Sequence, residues 1–88
     1  MVTTAIEHAD GVHSIVVTLP SIIEARQLAR YVREELDLTP RFRPHPEDER
    51  VSLVLVCPPR GGVAYSPAVL YLRDQLAARA AEIVSGAR

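Results

Sequence analysis

Three histidines, one cysteine, ten arginines and a glycine pair are the residues of this 88-residue chain that could do chemistry. His8, His13 and His45 show no metal-ligand spacing with Cys57, and Cys57 has no second cysteine to join it. A single cysteine also excludes an internal disulfide. It ends an apolar run, so it reads as a small buried hydrophobe before it reads as a nucleophile served by a histidine base. No catalytic residue, metal or cofactor is expected. Pro59-Arg60-Gly61-Gly62 is different in kind. It stands between an apolar run and the Ser66-Pro67 pair, which marks a helix start. Glycine-rich backbone beside a helix N-terminus can hold a phosphate or carboxylate, and Arg60 would add a charge. The full P-loop pattern of Gly, four residues, Gly-Lys-Ser/Thr is absent, and the plainer reading is a connector that needs glycine to turn. Arg60, Gly61, Gly62 and Ser66 are the candidate ligand-binding residues.

Every basic residue apart from histidine is an arginine, and lysine, asparagine and tryptophan are missing altogether. Arg, Ala, Pro and Val in place of Lys and Asn is what a GC-rich bacterial genome produces, so arginine abundance alone does not signal selection for bidentate chemistry. Arg26, Arg30 and Arg33, with Arg41 and Arg43, could still form a basic surface. Nucleic-acid binding would want such a patch together with aromatics. Phe42 and three tyrosines are all there are, Glu34, Glu35 and Asp37 dilute the field, and the net charge is −1. These features weigh against a nucleic-acid partner and favour a solvated helix face. Glu47-Asp48-Glu49 reads as a solvated turn.

The elements that must position these residues are organised around Arg50–Pro59. Between Arg50 and Pro58, Ser52 is the only polar side chain, and the run is rich in β-branched residues. Such a run is expected of a central strand with both faces covered. Ahead of it, Val2–Ile6 and Val12–Leu19 flank Asp10-Gly11, a strong hairpin signal because glycine accepts the positive φ of a type I′ turn. Strands are expected near residues 2–8 and 12–19. Ser21 with Glu24 forms a capping box, opening a helix whose Ala25, Leu28, Ala29, Val32 and Leu36 share a buried stripe. Arg30 and Glu34 should pair on its outer side. Thr39–Pro44 is a strand confined to a sheet edge by Pro40 and Pro44. A second helix runs from Pro67 to about Ser85 with Gly86 as its stop. Val69, Leu72, Leu76, Ala80 and Ile83 make one stripe on it, and Leu70, Ala77 and Val84 make a second beside it.

The expected fold is therefore α+β, a single domain over residues 1–88 in the order ββαββα. An antiparallel four-stranded sheet in spatial order 1-2-4-3 carries two helices on one face, a two-layer sandwich that resembles the ferredoxin-like kind in general architecture. A chain this short has an expected stability of only about 4–13 kcal/mol at roughly 0.05–0.15 kcal/mol per residue. No apolar run approaches the ~20 residues that cross a bilayer. Glu7, His8 and Asp10 interrupt the segment a signal peptide would need. A soluble cytoplasmic protein without membrane contact is the expectation. Helices on one face leave the other bare, with Val16, Val54 and Val56, or alternatively Leu53 and Leu55, pointing there. An apolar face of that size is unusual in a monomer. The leading functional expectation is a non-enzymatic oligomerising or partner-binding module, a homodimer or larger even homo-oligomer. Its contact would use Val16, Val54 and Val56 on the sheet, or Ala77 and Ala80 on the second helix. The alternative is a small-ligand or anion sensor at the glycine loop.

Overall fold

The structure is a computed structural model that describes residues 2–9, 12–57 and 67–86. Its elements are β1 (Thr3–Ala9), β2 (Val12–Leu19), α1 (Ile22–Glu35), β3 (Arg41–Pro44), β4 (Val51–Cys57) and α2 (Pro67–Ser85). The strands form one antiparallel sheet in the expected order β1-β2-β4-β3. Ala9 lies directly opposite Val12; the Asp10-Gly11 turn expected between them lies outside the described residues.

Alternation of side chains along a strand separates the two faces. The odd-numbered residues of β4, Val51, Leu53, Leu55 and Cys57, join Ile15, Val17 and Leu19 of β2 in one core cluster. The same cluster takes in Ala25, Leu28, Ala29 and Val32 of α1 and Leu76 and Ala80 of α2. The even-numbered residues therefore face the other way: Ser52, Val54 and Val56 on β4, and Ser14, Val16 and Thr18 opposite them on β2. Of the two sets weighed from sequence, it is Val16, Val54 and Val56 that turn away from the helices.

Local chemistry sets the helix boundaries. Ser21 caps α1 by accepting a hydrogen bond from the Ile23 amide, and its hydroxyl also contacts the Glu24 carboxylate. The expected capping box is thus altered, with the acid serving the serine side chain. At the other end Leu36 closes the helix and Asp37 turns left-handed at φ 55°, letting the Leu38 amide reach the Val32 carbonyl. Glycine is the usual residue at such a turn, since an L-residue is crowded there. On α2 Gly86, at φ 70°, takes that role. The Arg30–Glu34 pair forms at 3.0 Å on the solvent side of α1. Among the described residues no helix is long and apolar enough to cross a membrane.

Leu53 sits at the centre of the cluster with no solvent exposure. Truncating it removes packing from the centre of the apolar cluster and leaves a cavity, so Leu53→Ala should cost about 2–5 kcal/mol. A denaturant titration checks this, and a loss below about 0.5 kcal/mol would show that β4 is not the packing centre.

Candidate functional site

The face turned away from the helices is where sequence reasoning expected a bare apolar patch. Register instead lays side chains across it in rows. Thr3, Thr18, Ser52 and Arg43 align across all four strands, followed by Ala5, Val16, Val54 and Arg41, and then by Glu7, Ser14 and Val56. Only the middle row has an apolar centre. From the two outer strands Arg43 donates two hydrogen bonds to the Glu7 carboxylate, at 3.0 and 3.3 Å. Three strand spacings would hold β1 and β3 about 14 Å apart in a flat sheet. The contact therefore requires the twisted sheet to curl, bringing opposite corners of this face together. On the same face Val16 and Val54 are only 6% and 7% exposed, although neither α1 nor α2 packs on that side.

The polar row is held by a chain of hydrogen bonds. Ser52 Oγ lies 2.8 Å from Thr18 Oγ1 and 2.8 Å from His45 Nε2. His45 Nδ1 in turn lies 3.6 Å from a Glu47 carboxylate oxygen. A serine, a histidine and an acid in this sequence have the roles of nucleophile, base and orienting group. Ser52, however, is 2% exposed, and its two neighbours occupy the hydroxyl. A substrate has no approach to Oγ, so the arrangement satisfies a buried polar group instead of activating it. Either histidine tautomer closes the chain, because a hydroxyl donates one bond and accepts another. The adjoining turn is fixed by Asp48, which accepts from the Arg50 amide at 2.9 Å and from its side chain. The Arg50 side-chain hydrogen bond holds the Asp48 carboxyl below its ordinary range. This network was not anticipated; the signal available in sequence was Ser52 as the one polar residue of an apolar strand.

The residues singled out from sequence are dispersed. Arg60, Gly61, Gly62 and Ser66 lie outside the described residues. Of the five contact candidates, Val16, Val54 and Ala80 are buried within the monomer, Ala80 completely, whereas Val56 is 52% exposed and Ala77 half-buried. Cys57 is buried, its thiol pushed up by desolvation. His8 and His13 stack edge to face with centroids 4.4 Å apart. Among the described residues no group of three His, Cys, Asp or Glu side chains could hold a metal ion.

The arginines do come together. Arg26, Arg30 and Arg33, with Glu34 and Phe42, line a cleft of about 570 Å3 between α1 and the β3 edge. Arg41 and Arg43 point to the opposite face of β3, since they flank Phe42 in the strand. A second cleft of about 330 Å3 lies beside the polar row, lined by Thr3, Thr18, Pro20, Asp48, Glu49 and Arg50. No family model, curated protein or solved structure matches this chain.

Two outcomes follow for these groups. Ser52→Ala strips a partner from both His45 and Thr18 and should cost about 1–3 kcal/mol; a variant with unchanged urea midpoint would show the hydroxyl chain to be dispensable. Cys57 should react much more slowly with a thiol reagent in the native protein than in urea, because the thiolate is the reactive form and burial disfavours it. Its raised folded-state pKa makes the thiol's contribution to stability complete at neutral pH, with loss as pH climbs through the alkaline range. Equal labelling rates in the two states would contradict the burial.

Proposed function

We propose that this chain is a non-enzymatic module that works by pairing with a second copy of itself through the β1 edge and the adjoining flank of α2. On this reading the monomer is a two-layer sandwich of the general ferredoxin-like kind, extended across a two-fold axis. What carries the reading is the difference between the two edges of the sheet. β3 has four residues, ends in Pro44 and follows Pro40, and prolines and short length blunt an edge. β1 has seven residues, no proline and one charge, Glu7. That charge is already engaged by Arg43 of the same chain.

The flank of α2 supports the same surface. Its core stripe is Leu76 and Ala80, while Leu70, Ala77 and Val84 beside it are only half-buried. The opposite side of α2 faces α1, where the Arg79 guanidinium lies 4.5 Å from the centre of the Tyr31 ring. The Leu70–Ala77–Val84 stripe is therefore turned toward β1 and beyond it, and α2 and β1 are in contact. A second copy suits this surface because antiparallel pairing of β1 with itself is two-fold symmetric. Centred on Ile6, the pairing sets Ile6 against its equivalent on the helix side and places Glu7 opposite Ala5 of the second copy, so like charges do not meet. Val16 and Val54, covered within the monomer, give the sheet face less to bury.

Sedimentation at tens of micromolar should report twice the monomer mass, for an interface of roughly 1,200–2,000 Å2. The dimer should persist in moderate salt, since apolar burial and backbone pairing hold it more than charge. Ile6→Lys and Ala77→Arg should each give monomers, whereas Val56→Asp should not. A monomeric parent would overturn the reading, and splitting by Val56→Asp alone would move the contact to the sheet face.

A further inference from the structure

The cleft between α1 and β3 has a charge that its own residues do not balance. Arg26, Arg30 and Arg33 stand at i, i+4 and i+7, so their side chains share one stripe of the helix. Glu34 engages Arg30 at 3.0 Å. Arg26 and Arg33 make no ion pair among the described residues, so two positive charges on this wall are uncompensated. Like charges one and two turns apart repel, and an anion set among them relieves that repulsion. The other wall is aromatic. Phe42 sits opposite Leu53 in the register, on the side of the sheet that the helices cover. Because β3 is the last strand, the ring is still 36% exposed at the cleft. The space of about 570 Å3 is that of a small-molecule site. The second cleft differs in kind, because its one arginine, Arg50, is already taken by Asp48 and Glu49 adds a further acid.

The geometry points to this cleft as a binding site for a nucleoside phosphate, with the phosphate held by Arg26 and Arg33 and the base laid against Phe42. Guanidinium groups bind phosphate oxygens bidentately, as they do carboxylates; the aromatic wall is what favours a nucleotide over a simple anion. A base stacks on an aromatic ring regardless of its sequence identity. Arg26 and Arg33 stand about 10 Å from one another along α1, a gap that two long arginine side chains can close on one diphosphate group. The same chemistry is presented by a free nucleotide and by the end of a single strand. A free nucleotide fits better, because a strand needs a longer basic track and several stacking rings, and this chain has a net charge of −1. The cleft lies at the opposite edge of the sheet from β1, so pairing through β1 leaves it open, and the site stands or falls independently of the dimer.

Titrating the full chain with ADP, inorganic phosphate, adenosine and a ten-nucleotide oligothymidine, followed by amide chemical shifts, tests the assignment. ADP should bind with shifts centred on Arg33 and Phe42, and more tightly than phosphate or adenosine alone. The double variant Arg26→Gln, Arg33→Gln should weaken ADP at least roughly 10-fold. Both positions are exposed, and an unchanged circular dichroism spectrum will show that the variant folds. Phe42→Leu should weaken ADP while leaving inorganic phosphate unaffected. No binding at about 10 mM ADP, or binding undiminished in the double variant, overturns the site. Phosphate binding as tightly as ADP overturns the role of Phe42. Tighter binding of the oligonucleotide at the same residues overturns the free nucleotide in favour of a strand.

Discussion

The placement of β4 between β2 and β3 is the constraint on which the rest of the molecule depends. Paired on both sides, the strand satisfies its backbone within the sheet, and its period of two divides one apolar run into two faces. Val51, Leu53, Leu55 and Cys57 go to the helices; Ser52, Val54 and Val56 go to the other side. A slip of one residue would exchange these sets, burying Ser52 under α1 and sending Leu53 to the solvent side. The hydrogen bonds from Ser52 to Thr18 and His45 tie the register to one solution, because only the present pairing gives the buried hydroxyl both partners.

The second face then needs less cover than an apolar count suggests. Twist curls the sheet until Arg43 on β3 meets Glu7 on β1, and Val16 and Val54 on the same face are buried. The ion pair is exposed on both sides and is worth at most about 1 kcal/mol. Its importance is geometric: it marks how far the corners have approached, and it neutralises the one charge on β1. With Val16 and Val54 buried, the sheet face presents less apolar surface, Val56 apart, than the sequence pattern suggests.

The two edges of the sheet thereby take different characters. β1 is long, free of proline and flanked by the half-buried Leu70, Ala77 and Val84 of α2. β3 is short, bounded by Pro40 and Pro44, and lined by arginine on both of its faces. Phe42, on a strand edge protected from pairing in this manner, is accordingly still 36% exposed.

The order of elements, the sheet order 1-2-4-3 and the limits of β2, β4 and α2 were legible in the sequence. Those features follow from local causes: β-branched runs, a Ser-Pro helix start, a glycine stop and prolines that exclude a strand from the sheet interior. The buried stripes of both helices were legible for the same reason, since 3.6-residue periodicity is a property of the chain alone. The candidate sites were not. Which of Val54 and Leu53 faces the helices depends on register between strands far apart in sequence, as in Thr18 with Ser52, 34 residues on. The coverage of Val16 and Val54 depends on sheet twist, and the meeting of Arg26, Arg30 and Arg33 with Phe42 depends on how α1 lies against an edge strand. Sequence supplied those arginines and that ring as separate facts; only the tertiary structure, by packing α1 beside β3, put them around one cleft.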